Sequence, residues 1–367
     1  MIWNWQKEGW PEFSFNASNF EELEKKFIEK AGMINGSLLH VDAQEEEALK
    51  IELMSEEAFK TSEIEGEYLN RDSIQSSIRK HFGLQTDNRK IPPAEKGITE
   101  MMMNMFHSYH EPLNDETLFF WHEAVTYGRR DLMDIGKYRT HEDAMQIVSG
   151  PLGRSKVHFE APPSQRVPNE MQRFISWFNH SEKNLPALIR TSIAHLYFES
   201  IHPFEDGNGR IGRAISEKAL SQYVGQPILL ALSHTIEKNK SAYYLALEAN
   251  NKGLEIDGWI EFFCNIILNA QDHTILIIQF IIEKGKFYDR YKSMLNDRQL
   301  KVVNRIFREG VSGFSGGLSA KNYSTISGAT SATTTRDLTK MVEIGAFIKT
   351  GQLKSTRYYL NIKTHID

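Results

Sequence analysis

A histidine, an aspartate, a glycine-bearing turn and two arginines fall within twelve consecutive residues of this chain, His202-Pro203-Phe204-Glu205-Asp206-Gly207-Asn208-Gly209-Arg210-Ile211-Gly212-Arg213. A histidine can accept a proton near neutral pH. An aspartate offers a hard oxygen of the kind Mg²⁺ takes when it bridges nucleotide phosphates. Gly207 and Gly209 allow close backbone approach to a ligand and unusual dihedral angles. Arg210 and Arg213, three apart, project from nearly one face of a helix's first turn. Cations there oppose the helix dipole unless an anion sits between them. Types and spacing together suit removal of a proton beside a bound polyphosphate. Taken singly, the histidine is a cap or core residue, Asp-Gly a turn and the arginines a solvated face. All of them in one short string are much harder to explain as structure.

Two helices must position this string. The apolar pattern Leu188, Ile189, Ile193, Leu196, Tyr197 leads into it, Pro203 stops that helix, and Ile211, Ile215, Leu220 begin another. The loop amides then point forward at the N-terminus of the second helix, an anion-binding arrangement. Helical periodicity dominates elsewhere too. The aromatic anchors Trp3, Trp5, Trp10, Phe13 and Phe15 precede a helical pattern from Ser18, with Phe20, Leu23, Phe27 and Ile28 on its apolar face. A longer one runs from about Asp42 to Glu65 and ends at Gly66, which tolerates the left-handed conformation. Ile91-Pro92-Pro93 reads as a joint. The breakers between Gly150 and Pro163 exclude a helix, and Lys156-Val157-His158-Phe159-Glu160 suits a short strand or hairpin. From Asn296 the order is a helix (Arg298 to Phe307), a Gly/Ser-rich loop, short helices around Tyr323–Ile326 and Ser331–Val342, and a hairpin around Gly351. That order resembles a winged helix domain.

With 367 residues the chain exceeds one ordinary core. Its 40% hydrophobic and 25% charged residues read as globular rather than disordered. A net charge of −5 gives no overall pull toward nucleic acid or anionic membrane, but the distribution is uneven. From Asn296 to Asp367 there are 11 Lys/Arg against 5 Asp/Glu, a net +6, which leaves −11 on the other 295 residues. A basic winged helix suggests DNA, with Arg336 the strong base reader of its recognition segment. Such domains also dock proteins, and both readings stay open. The opening Met1-Ile2-Trp3-Asn4-Trp5 has no leader pattern. Polar residues from Asn265 to His273 interrupt the apolar stretch Trp259–Ile282, which therefore reads as a buried helix pair and not a membrane span. Cys264, the single cysteine, excludes an internal disulfide or a cysteine-based metal cluster and reads as a buried thiol. The expected compartment is the cytoplasm.

The twelve-residue string resembles the Fic family signature His-x-Phe-x-(Asp/Glu)-Gly-Asn-Gly-Arg-x-x-Arg at every fixed position, and the likeness extends from about Glu111 to Ala270. The resemblance implies a mainly α fold: a helical Fic core with a short β-hairpin flap, an N-terminal helical segment and a C-terminal winged helix domain. The expected boundaries are 1–100, 101–285 and 290–367. It further implies a protein adenylyltransferase that moves AMP from ATP to a Ser, Thr or Tyr hydroxyl with Mg²⁺. In that carry-over His202 takes the hydroxyl proton, Asp206 holds Mg²⁺, and Gly207-Asn208-Gly209 cradles the phosphates. Arg210 meets the inner phosphates and Arg213 the γ-phosphate, with Ile211 and Gly212 counted in the ATP site and Phe204 as a buried anchor. Val157, His158, Phe159 and Glu160 sit where the family places a flap that aligns the target by strand addition. Tyr243, Tyr244 and Asn251 resemble the adenine-side wall, with core packing the alternative for the tyrosines and Asn250 a rival for the asparagine.

Thr61-Ser62-Glu63-Ile64-Glu65-Gly66 matches the family's inhibitory pattern (Ser/Thr)-x-x-x-Glu-(Gly/Asn). It implies that Glu65 pairs with Arg213 in place of the γ-phosphate. In some relatives the same glutamate helps a water remove AMP. Gly209, where kinase-like relatives carry lysine, favours AMP transfer. The competing readings are transfer of another phosphate-linked moiety and a transcription regulator that only senses nucleotide. Expected partners are a hydroxyl-bearing target protein, a second copy of this chain as target or homodimer mate, and DNA at the C-terminal domain, with no membrane.

Overall fold

Pro186 and Pro203 bracket the helix on which the site depends. The computed structural model describes residues 2–38, 41–87, 89–150, 156–314 and 316–363. These fall into two compact units, Met1–Met33 with Lys50–Asp272 and Ile34–Leu49 with His273–Asp367. The chain runs through α1 (Glu21–Leu38), α2 (Ala43–Ile64), α3 (Arg71–His81), α4 (Pro93–Ser108) and α5 (Asp115–Val125). A hairpin follows, β1 (Gln146–Ser149) antiparallel to β2 (Lys156–Glu160), with Ile147 opposite Phe159 and a bulge between Ile147 and Val148. Residues 151–155 of the expected breaker segment lie outside the described residues. Then come α6 (Val167–Ser181), α7 (Ala187–Ile201), α8 (Asn208–Val224), α9 (Leu232–Lys238), α10 (Lys240–Asn250) and α11 (Asp257–Tyr291).

Helix α7 is buried on all sides, with only Glu199 of its residues left partly exposed. A helix apolar all round must lie inside a core. One face, with Tyr197, Phe198 and Ile201, joins Trp121, Phe174, Phe204 and Ile211. The other, with Leu188, Ile193 and Leu196, joins Ile236, Trp259 and Phe263. Its C-cap is His202 at φ +49, a left-handed conformation that a non-glycine residue adopts at a cost. The expected end of α2 is also present: the helix closes at Ile64, and Gly66 follows at φ +83.

The apolar stretch from Trp259 to Ile282 differs from the expected helix pair, because it is one continuous helix of 35 residues. No glycine or proline interrupts it between Trp259 and Lys284. Its polar residues do not break it either. Asn265 returns its amide to Glu261 O at 2.8 Å, and buried Gln271 donates to Phe27 O at 3.1 Å. By length and composition this helix could cross a membrane, yet Trp259, Ile260, Phe263 and Ile267 pack in the core. Cys264 is buried there, and burial pushes its thiol up to about 12.

In the second unit α12 (Asp297–Arg308), α13 (Ala320–Ser327) and α14 (Ser331–Glu343) precede β3 (Phe347–Thr350) and β4 (Arg357–Leu360), which pair antiparallel. The side chains of Asn296, Ser319 and Thr330 accept from the first-turn amides of the three helices, so each start is set locally.

Candidate active site

Helix α7, the loop after it and α8 carry the twelve-residue string. Phe204 is fully buried and stacks on His122 at 4.2 Å between centroids. Asn208 brackets it: Oδ1 accepts from Phe204 N at 3.0 Å, and Nδ2 donates to Phe204 O at 2.8 Å. Asn208 therefore fixes the loop with its side chain. Gly207 stands at φ +82, where an added Cβ would meet Val125 Cγ2 at 2.8 Å. Its amide donates to Asp206 Oδ1 at 2.6 Å, so it is turned away from any ligand in the cradle. The amides of Asn208, Gly209 and Arg210 form the first turn of α8, where no intrahelical acceptor exists. Those three unpaired amides form a candidate anion cradle. Ile211 is buried in the core, and Gly212 opens space for Glu199, whose Oε1 would stand 2.6 Å from a Cβ there.

The cradle's charges are all matched internally. Arg213, almost fully buried, donates from Nη2 to Glu65 Oε1 at 2.8 Å and to Thr61 O at 2.9 Å, and from Nε to Thr61 Oγ1 at 2.7 Å. Burial works against the Arg213 charge, but Glu65 beside it raises its pKa on balance. A Cβ on Gly209 would collide with Glu65 Oε1, so that carboxylate lies directly over the cradle. Arg210 Nη1 donates to Glu67 Oε2 at 2.7 Å and to Val125 O at 3.1 Å. Asp206 meets Arg129 Nη1 at 2.5 Å and Arg210 Nη2 at 3.5 Å. Burial alone would raise the Asp206 pKa, yet Arg210, the Gly207 amide and Arg129 hold it below the usual carboxylate value. It is thus an ionised carboxylate that already accepts a cation, which fits a Mg²⁺ ligand. Glu205, its neighbour, accepts from Met133 N and Asp134 N at 2.8 Å each and anchors the 129–136 loop.

His202 caps α7 at the start of the loop, with 13% of its side chain exposed. Arg139 Nε donates to its carbonyl at 2.9 Å, and its own amide donates to Phe198 O at 3.0 Å. Its Nδ1 faces Glu199 Oε2 at 3.6 Å.

The hairpin residues serve two ends. Val157 packs partly against the core, and Phe159, buried, stands edge-on to Trp3 at 5.4 Å. His158 Nδ1 lies 2.6 Å from Glu248 Oε2, and Glu160 Oε2 accepts from Gln146 Nε2 at 2.7 Å. Tyr243 is buried, with its hydroxyl 2.7 Å from His195 Nε2, so it packs the core, while Tyr244 is exposed. Asn251 Nδ2 donates to His158 O at 3.2 Å, and its carbonyl accepts from Asn4 N at 2.8 Å. Its Oδ1 is buried without a partner.

Sequence reasoning missed four features. Glu199 precedes His202 by three positions, a spacing at which side chains near a helix end can meet, and that signal was available. Glu67 follows Glu65 by two residues but belongs to no pattern. Arg129 reaches Asp206 from a loop far off in sequence, which leaves no local trace. The fourth is the N-terminal tie: Asn4 Nδ2 donates to Ser200 Oγ and Trp5 Nε1 to Glu160 O, each at 2.7 Å.

Comparison with known proteins agrees with this geometry. Residues 112–220 match the Fic/DOC family, and residues 3–84 match a domain of unknown function, DUF4172. A probable protein adenylyltransferase of Aquifex aeolicus is 33% identical over 26% of this chain and 27% of its own length. A uridine 5'-monophosphate transferase of Xanthomonas campestris is 34% identical over 17% of this chain and 13% of its own. The chain thus spans about a quarter or less of these curated relatives. A crystal structure of a Fic family protein from Desulfovibrio desulfuricans superposes with a TM-score of 0.54 at 20% identity, covering 95% of this chain and 98% of that one. The loop between α7 and α8 lies within residues 112–220, the segment that matches the Fic/DOC family, and the fold around it resembles that of the Desulfovibrio protein.

Proposed function

We propose that this chain is a protein adenylyltransferase that moves AMP from ATP to a protein hydroxyl and is held at rest by Glu65. The observation that carries the reading is that Asp206, Arg210 and Arg213 meet at the unpaired first turn of α8, with His202 capping the helix before the loop. His202 removes the proton of the target hydroxyl, and the oxygen forms a bond to the α-phosphorus. The bond from that phosphorus to the β-phosphate oxygen breaks, and pyrophosphate leaves. The cradle amides and the two arginines meet the negative charge that this requires, so catalysis is positioning plus electrostatic stabilisation. Asp206 would hold Mg²⁺, which supplies further charge neutralisation on the phosphates when bound. The hairpin β1–β2 offers strand edges to an extended target segment.

Each of these groups now has a substitute for its ligand. Glu65 stands in for one phosphate on Arg213, Glu67 for another on Arg210, and Arg129 for the metal on Asp206. That arrangement supports an autoinhibited resting state, and it assigns Glu67 a share of the brake. Glu67→Gln keeps the shape and removes the charge, so it should tighten ATP binding in Mg²⁺ by roughly 3–10-fold. Titration calorimetry reads this, and an unchanged Kd would leave Glu67 as a surface ion pair.

The likeness to a uridine monophosphate transferase favours a second reading, transfer of UMP from UTP by the same groups. Incubation of the pure protein with α-labelled ATP, γ-labelled ATP and α-labelled UTP separates the possibilities. Protein-bound label from α-labelled ATP alone supports the proposal. Label from γ-labelled ATP would mean a kinase, from UTP a uridylyltransferase, and binding without any transfer, in Glu65→Gly as well, a nucleotide sensor. For the second unit we propose a docking role, toward DNA or a target protein, on the strength of its net charge of +6 from Asn296 onward.

A further inference from the structure

The conformation of α7 places one more residue in this chemistry. Glu199 stands in the last turn of α7 and His202 caps that helix, and both side chains are almost withdrawn from solvent, at 10% and 13% exposure. Glu199 Oε2 faces His202 Nδ1 at 3.6 Å, and that nitrogen has no hydrogen-bond partner of its own. The other carboxylate oxygen, Oε1, is buried and equally unpartnered. A buried ring nitrogen and a buried carboxylate oxygen without partners are costly, and a small rotation of either side chain brings the carboxylate within hydrogen-bond distance of Nδ1. Room for the carboxylate is built in, because Gly212 of α8 has no side chain where Glu199 Oε1 sits.

We propose that Glu199 is a positioning residue that orients the His202 ring and fixes its tautomer for proton removal. The proposal rests on the adenylyltransferase reading for the reaction but not for the geometry. A carboxylate at Nδ1 keeps the ring proton on that nitrogen. Nε2, on the other edge of the ring, is then left with its lone pair for the target hydroxyl. When Nε2 takes the hydroxyl proton, the imidazolium so formed lies beside a negative charge that stabilises it. Glu199 is ionised for this role: burial raises its pKa, but His202, His195 and Arg213 together bring it below the usual carboxylate value. His195 does not compete as a base, since burial pushes it down to about 4 and its Nε2 is engaged by the Tyr243 hydroxyl.

The test uses Glu199→Gln, which preserves size and removes the charge, together with His202→Ala and the double variant, in the full chain. The expected kinetic result is a 10–100-fold fall in kcat for label transfer from α-labelled ATP, with KM for ATP within twofold. In the His202→Ala background the same substitution should cost nothing further, because Glu199 acts only through the ring. The second readout needs no activity. In ¹⁵N-histidine spectra the resonance absent from His202→Ala should show an Nδ1-protonated ring in the unmodified protein and a mixed tautomer in Glu199→Gln. If neither the unmodified protein nor Glu65→Gly transfers label, the adenylyltransferase reading fails while the tautomer result still stands or falls alone. Equal kcat and identical His202 resonances in Glu199→Gln would overturn the proposal. A further loss in the double variant would also overturn it, by making Glu199 a structural residue of the α7–α8 contact.

Discussion

On the proposed function, Glu65→Gly should raise AMP transfer on the order of 10–10³-fold, measured as initial rates with α-labelled ATP at saturating concentration. The substitution removes the carboxylate that covers the cradle at Gly209 and occupies Arg213, and it leaves every residue of the loop in place. Breaking a partly buried Arg–carboxylate contact is worth a few kcal/mol, about 1.4 kcal/mol for each tenfold in rate. Residue 65 lies just past the end of α2, so a glycine there adds little helix cost beyond ~1 kcal/mol and loosens the segment further. Arg213 would still be held by Thr61 through its Nε and Nη2, which keeps the guanidinium near its present position for the γ-phosphate. Arg213→Ala should therefore not reproduce the gain, because it removes the partner of Glu65 and the phosphate ligand at once. The expected set is a hyperactive Glu65→Gly, an impaired Arg213→Ala and an impaired double variant. A folded Glu65→Gly that is no faster than the unmodified protein would reduce the Glu65–Arg213 pair to structure.

His202→Ala moves in the opposite direction, with transfer falling by ~10²–10⁴ while the Kd for ATP stays within a few-fold. A general base acts on the target hydroxyl and makes no contact that nucleotide binding needs. The loop should survive the change, since its backbone is fixed independently by Arg139 on the residue-202 carbonyl, by Phe198 on its amide and by the Asn208 bracket around Phe204. Combining it with Glu65→Gly gives the more searching measurement. Relief of the brake should restore nucleotide binding in the double variant but not transfer. Undiminished labelling in His202→Ala would take the base away from this histidine.

Much of this site was legible in the sequence because its parts are contiguous. A proline after one apolar helical pattern and glycines before the next put a loop at a helix N-terminus, and that is where the structure has it. The end of α2 was equally plain, since Gly66 closes the long helical pattern two residues after Ile64. What could not be read lies in contacts between distant segments. Arg129 and Asp206 are 77 residues apart, and no periodicity links them. Tyr243 shows a subtler failure, because a tyrosine pair in a helix looks the same whether one ring faces a ligand or the core. Only the position of His195 on α7 decides that Tyr243 turns inward. The stretch from Trp259 misled for a related reason: an asparagine such as Asn265, bonded to a carbonyl of its own helix, resembles a breaker when written in a line.

The ties made by Asn4 and Trp5 bear on how this protein can be inherited. Residues 3–84 and 112–220 match two different families, which invites the view that a Fic domain acquired a separable companion. The bonds from Asn4 to Ser200 and Asn251, from Trp5 to Glu160, and from Glu65 and Glu67 to the two arginines run across that boundary. Most of the N-terminal match lies in the same compact unit as the catalytic loop. The two matches are therefore one module in the sense that matters for recombination. A crossover between residues 84 and 112 would join halves whose hairpin brace, helix-end contact and arginine partners had drifted separately. Descent should keep these segments together, and substitutions on one side should be answered on the other.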